Sequence, residues 1–375
     1  MLIDMASRTR NVFVCRGVKF FFAGISLWML WAAFANFTGM SLVSLTASFS
    51  SYREYIVVGV FTHTLFLSVK IIELYDMKSQ IVNITIAVLG AYLLYAFVYF
   101  FRGFDFVASL SNIFQKSDRY RYAYGFRHVN TAGRLCLFFF VFVMMYRAIL
   151  SERKLSHKIR RATGWKKFAV LFPAVLMILL STASRTSLSA LILFCLVYWS
   201  LNIYQRAGFH VKAMMITFTV WIVFMLAVTI DWLAIWNYFW ESRGMNYIGL
   251  FPLLVNKGVL ATGVGMLSRG AINEVTNMPY MDSYYLSILL KTGLVGFTLF
   301  FATVFCFIVM YFRNIKGMTE LQKLAGALIV LILYYGIFEG GVFYGHNALD
   351  LINWILLISC MNEKYRVSGT ITKGS

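Results

Sequence analysis

Apolar residues run along this chain in long blocks rather than in strict alternation. Blocks long enough to cross about 30 Å of hydrocarbon fall near 17–38, 54–73, 81–101, 131–150, 168–184, 186–204, 213–233, 283–312, 324–344 and 348–361. Their length predicts an all-α polytopic membrane bundle of ten helices, within a range of nine to twelve. The last block is short, and the ninth and tenth read as a tight hairpin. No polar gap of soluble-domain size separates the blocks, so residues 1–375 are expected to form one integral membrane domain. Arg8, Arg10 and Arg16 precede the first block, Lys19 lies at its start, and Ala33 and Ala35 give the small-residue spacing of a signal sequence. The block from Gly17 to Met40 is long and aromatic, however, which favours an uncleaved first helix.

Composition agrees with this pattern. The chain is 60% hydrophobic, 18% aromatic and 13% charged, with mean hydropathy +0.74. A net charge of +19 would point a soluble protein towards nucleic acid, but here basic residues flank membrane spans, and nucleic acid is not an expected partner. Cys15, Cys136, Cys195, Cys306 and Cys360 lie in or beside apolar blocks and form no metal-ligand or redox spacing.

The distribution of Lys and Arg orients the bundle. The segment RAILSERKLSHKIRRATGWKK, residues 147–167, carries eight of the 34 basic residues, a density retained in the cytoplasm. Both termini are then cytoplasmic, and two long connections, about 102–130 and 234–282, face outward. Several cations break the positive-inside bias on that outer face: Arg102, Lys116, Arg119, Arg121, Arg127, Arg134, Arg185, Arg243, Lys257 and Arg269. One reading is contact with membrane lipid headgroups. The other is a polyanionic ligand, because guanidinium offers several donors in planar geometry to phosphate oxygens.

Three stretches carry candidate chemistry. RYRYAYGFRHVNTAGR, residues 119–134, includes Arg127, His128, Asn130 and Arg134. TASRTSLSALILF, residues 182–194, places Arg185 at a tight turn between the fifth and sixth helices. There, hydroxyls of Ser181, Thr182, Ser184, Thr186 and Ser187 are expected to satisfy freed backbone groups. The third stretch, residues 241–297, opens with Glu241 and Arg243 and runs through glycines at 258, 263 and 265. It reaches Met281-Asp282-Ser283-Tyr284-Tyr285 at the mouth of the eighth helix, where Asp282 is a candidate N-cap as well as a candidate base.

The order of these parts resembles the bacterial O-antigen ligase and polysaccharide repeat-unit polymerase superfamily. The matching segments are FRHVNTAGRL, SRTSLSALIL, ESRGMNYIGLFPLLVNKGVLATGVGM and DSYYLSILLKTGLVGF, which together span roughly residues 100–300. The resemblance implies glycosyl transfer on the outer face of a bacterial cytoplasmic membrane, without metal or other cofactor. Its donor would be a polyprenyl-diphosphate-linked oligosaccharide, with a flippase and a chain-length regulator as candidate partners. The ligase branch has a histidine where this chain has Asp282, a departure that favours the polymerase branch.

On that reading a sugar hydroxyl attacks the anomeric carbon while lipid diphosphate leaves. Guanidinium groups of Arg127, Arg134, Arg185, Arg243 and Arg269 would stabilise charge on the leaving oxygens, with Asn130 and Tyr284 beside them. Asp282, Glu241 and His128 are the candidates for accepting the hydroxyl proton. The histidines are too far apart in sequence to suggest a metal site. A ligase-like transferase acting on another acceptor, and a transporter of lipid-linked sugars, remain the alternatives. A transporter would need charged or broken helices through the midplane.

Overall fold

Amphipathic spacing in the first span already shows how the bundle packs. Helix α1, Arg16–Gly39, buries Val18, Phe21, Ile25, Trp28, Ala32, Ala35 and Gly39. These steps of three and four residues make one continuous seam. Its opposite face exposes Leu27, Leu30, Phe34 and Phe37, large apolar side chains, as a lipid-facing surface requires.

A computed structural model describes residues 15–39, 45–100, 129–152, 173, 175–182, 184–206, 208, 245–267, 283–313, 315–338, 343 and 348–371. Among them there is no strand. The helices after α1 are α2 (Leu45–Tyr75), α3 (Lys78–Phe100), α4 (Val129–Glu152), α5 (Arg185–Arg206), α6 (Met245–Asn256), α7 (Tyr284–Phe312), α8 (Glu320–Phe338) and α9 (Ala348–Ile371). Residues 175–181 form a further helical piece before α5.

Seven of these helices are long and apolar enough to cross a membrane: α1 to α5, α7 and α8. The apolar part of α9, Ala348–Asn362, is shorter. The chain is therefore a multi-pass helical membrane protein. The expected fifth span is described only in its last part, and the expected seventh, near 213–233, lies outside the described residues.

Helix α8 is the axis of one half of the bundle. Every residue from Leu321 to Ile329 is buried, the pattern of a helix surrounded by others. It packs against α4, α5, α7 and α9. The other main contact runs along α1 and α7, where Phe21 meets Phe307 and Trp28 meets Phe300. Trp354 of α9 stacks on Phe21, and Phe343 lies against Phe21, Trp28, Phe61, Phe300 and Trp354.

Contacts define two ends of the bundle. At one end Arg134, Ser187, Tyr335 and Asp350 meet. At the other, Glu320 meets Tyr198 and Lys323, and Glu152 accepts a hydrogen bond from the Leu321 amide. Along the second end, Asn362 bonds Glu73, which pairs with Lys78 at 3.6 Å.

The region expected as a large loop before the eighth helix contains structure of its own. Helix α6 has twelve residues, about half the length a membrane crossing needs, and buries Leu250 and Leu254 against Leu286 and Leu290 of α7. After it, residues 258–267 insert into a break in α7. Gly293 has φ 63° and ψ −172°, a conformation open in practice to glycine alone. The carbonyls of Leu290 and Lys291 accept from the amides of Val264 and Gly265, both at 2.9 Å. In return, the amides of Leu294 and Val295 donate to Leu260 and Ala261 at 2.8 and 3.2 Å. The broken helix thus regains four backbone hydrogen bonds from the inserted loop, as an apolar environment demands.

Candidate functional site

The Arg134 end collects residues from five separated segments. Arg134 lies in the second turn of α4, where its guanidinium forms a buried ion pair with Asp350, in the first turn of α9. Its guanidinium carbon also sits 5.6 Å from the Phe138 ring centre and 5.7 Å from that of Tyr335. Aromatic faces at that distance favour a cation. Asp350 retains only 2% of its side-chain exposure and Arg134 16%. A carboxylate this deep requires the cation, and separating them would leave an uncompensated charge in apolar surroundings. The Arg134 Nε is buried and has no hydrogen-bond partner among the described residues, so one donor of this group is left unmet.

A hydroxyl cluster adjoins the pair. Tyr335 donates to Ser187 Oγ at 2.6 Å, and Ser184 donates to Ser187 Oγ at 3.0 Å. Around the turn before α5, Ser181 and Thr182 donate to the carbonyls of Ile178 and Leu179. Thr182 Oγ1 and Ser184 Oγ accept, at 3.4 Å each, from the amides of Ser184 and Ser187. The hydroxyls therefore serve the turn as the sequence predicts. Gly133 faces this cluster closely: a Cβ there would lie 2.8 Å from Ser187 Oγ and 3.1 Å from Thr182 Oγ1. The absence of a side chain brings α4 onto the turn and sets Arg134 beside it.

The mouth of α7 joins the same end. The N-cap position falls on Ser283 rather than on the expected Asp282, and the Ser283 side chain makes no capping hydrogen bond. Ser283 Oγ instead donates to the Gly336 carbonyl of α8 at 3.3 Å. Tyr284, the first helical residue, is buried, with its ring 6.0 Å from Phe300 and 6.4 Å from Tyr285. Tyr285 donates to the Leu333 carbonyl.

Of the residues expected to carry chemistry, the structure describes the side chains of Asn130, Arg134 and Tyr284. Asn130, one turn before Arg134 on α4, is partly exposed. Arg185 is placed as the first residue of α5, while its side chain lies outside the description. Arg127, His128, Glu241, Arg243, Arg269 and Asp282 lie outside the described residues.

Asp350 was missed by sequence reasoning. Its signal was available: an acid inside an apolar block, in a chain with only 15 carboxylates, demands a buried partner. Among the described residues no group of His, Cys, Asp and Glu side chains is placed to hold a metal ion. No family model, curated protein or solved structure matches the chain.

Proposed function

We propose that this protein is a membrane glycosyltransferase that polymerises polyprenyl-diphosphate-linked oligosaccharide repeat units. It would act at the outer face of a bacterial cytoplasmic membrane and build an O-antigen, capsule or exopolysaccharide. The observation that carries this reading is the convergence of the four segments on which the family resemblance rests. FRHVNTAGRL supplies Gly133 and Arg134, and SRTSLSALIL supplies Ser184 and Ser187 against them. DSYYLSILL supplies Ser283 and Tyr285, tied to α8. The stretch Met245–Val264 packs on Leu286 and Leu290 of that same segment.

In the proposed reaction the sugar hydroxyl of one repeat attacks the anomeric carbon of another, and lipid diphosphate leaves. Arg134 is held rigidly by Asp350 and two aromatic rings, so its charge is pre-placed without reorganisation when the leaving group develops its own. Arg127, Arg185, Arg243 and Arg269 complete the cationic lining in this reading, with Asn130 and Tyr284 beside them. Asp282, Glu241 or His128 takes the proton. The positive-inside distribution supports placing the Arg134 end outward.

Purified protein incubated with lipid-diphosphate-linked repeats tests the proposal directly. A ladder of products differing by one repeat is the expected result, and its absence with well-folded protein would refute it. Single Ala variants of Arg127, Arg134, Arg185 and Arg243 should abolish the ladder. Lys variants should rescue it only in part, since lysine lacks the planar fork. Normal polymer from all four Ala variants at normal protein level would reduce these cations to headgroup anchors.

A further inference from the structure

A straight α7 would hold residues sixteen positions apart at a distance of about 24 Å. Yet the Tyr284 ring lies 6.0 Å from that of Phe300, and the Tyr285 ring 5.0 Å from that of Phe301. The bend at Gly293 therefore folds residues 284–292 back alongside the rest of the helix. Ser283 and Tyr285 fix the returned arm to the Gly336 and Leu333 carbonyls of α8.

The depth of each part follows from α1. That helix has 24 residues, a rise of about 36 Å, so its last turn reaches the membrane boundary. The bend of α7 lies at this level, because Gly39 packs on the Val264 carbonyl and Asn36 accepts from the Met266 amide. Lys257, just after α6, and Lys291, two residues before Gly293, stand at the same level, where lysines meet headgroups and water. Trp28, about 16 Å from Gly39 along α1, packs on Phe300. Tyr284 lies beside that same ring and is thus well inside the hydrocarbon. Helix α6 follows the returned arm: Leu250 and Leu254 pack with Leu286 and Leu290, both on that arm. On its other side α6 exposes Phe251 and Val255, as the span of α7 exposes Leu294, Val295, Phe305 and Val309.

We infer that α6 and residues 284–292 are a re-entrant pair of half-helices, sunk into the leaflet on the Arg134 side without crossing it, and that Phe251 and Val255 contact the acyl chains of that leaflet. Depth and continuity both select lipid as the occupant of this face. The returned arm lies below the level of the lysines, and the α6 face continues the apolar surface of α7, which faces lipid because it belongs to a span. Half-helices of this kind are stable at such depth only when packed on protein on one side, and Leu250 and Leu254 supply that packing. Residues 245–256 thus hang within the membrane, although the sequence assigns them to a long outer connection. The inference is independent of the proposed glycosyl transfer and of which face is cytoplasmic.

The test uses the unaltered full-length protein in nanodiscs of phosphatidylcholine whose acyl chains carry a diazirine. After illumination, adducts are mapped by mass spectrometry. Peptides holding Phe251 and Val255 should carry carbene adducts, as peptides holding Phe305 and Val309 do. In the same nanodiscs without the diazirine, membrane-impermeant maleimide should label K257C and leave F251C and V255C at the background set by the five native cysteines. Labelling of F251C and V255C at the rate of K257C would overturn the inference, by placing α6 on the water side. Absence of adducts on the α6 peptides while the Val309 peptides are modified would overturn it too, by showing that another part of the chain covers the face. Where a cysteine variant fails to fold, the adduct map of the unaltered protein decides alone.

Discussion

Replacing Gly293 with alanine should detach the inserted loop from α7. Two costs add. A Cβ-bearing residue at φ 63° and ψ −172° carries backbone strain of about 1–3 kcal/mol. The new methyl would also meet the Ala261 carbonyl and the Gly263 amide far inside van der Waals contact. Both are backbone atoms, so no rotamer change relieves the clash and the loop must withdraw. Withdrawal removes four backbone hydrogen bonds, each worth about 0.5–1.5 kcal/mol net. The total loss is therefore at least about 3 kcal/mol.

Gly258 provides the internal control. Its φ is also positive, at 69°, but a Cβ there meets nothing within 4 Å. Gly258→Ala should cost only the strain of a left-handed residue, about 1–2 kcal/mol. Hydrogen exchange measured by mass spectrometry separates the two effects. In Gly293→Ala the amides of Val264, Gly265, Leu294 and Val295 should lose protection while α8 keeps its own, and in Gly258→Ala the same amides should stay protected. Equal unfolding temperatures and unchanged exchange for Gly293→Ala would refute the claim that the loop is keyed into the helix break.

Asp350→Ala should destabilise the protein by about 3–5 kcal/mol, because it strands the Arg134 charge. The double variant Arg134→Met/Asp350→Leu should recover most of that loss in thermal unfolding while making no polymer. Membrane-impermeant maleimide applied to intact cells should label a cysteine at Ser268 and leave one at Ser156 unlabelled; labelling at Ser156 would reverse the assigned orientation. Asp282→Asn should lower turnover by a factor on the order of 10²–10⁴ if Asp282 is the base. Asparagine caps a helix about as well as aspartate, so helix capping gives no competing explanation, and near-normal polymer would pass the role to Glu241.

Much of the fold was legible because the membrane imposes one rule on every span: enough apolar residues in sequence to cover the hydrocarbon. Seven of the expected blocks match helices of sufficient length, and the hydroxyl-rich turn before α5 behaves as its composition implies. What escaped was the interior of the region before α7. Helix α6 has an apolar face but only twelve residues, too few to register as a span, and it carries Pro252, which argues locally against a helix. The break in α7 was equally hidden, since a lone glycine within an apolar run is common in spans. Only the partner loop, with Gly263 at φ 72° pressed against Gly293, reveals why that glycine is there.

The candidate site divides along the same line. Arg134 was identifiable from its own surroundings, because a guanidinium beside an apolar run needs a reason to be there. Its partner was not, because Asp350 lies 216 residues away and a single sequence holds no trace of which acid answers which base. The pairing changes the chemistry expected of Arg134. A mobile arginine would have to be recruited and ordered by substrate, whereas one fixed between a carboxylate and two rings is ordered beforehand and partly neutralised. Such a group binds a resting diphosphate less tightly, yet it can respond to the additional charge that appears as the glycosidic bond breaks. If the proposed reaction is correct, this favours discrimination of the transition state over ground-state affinity.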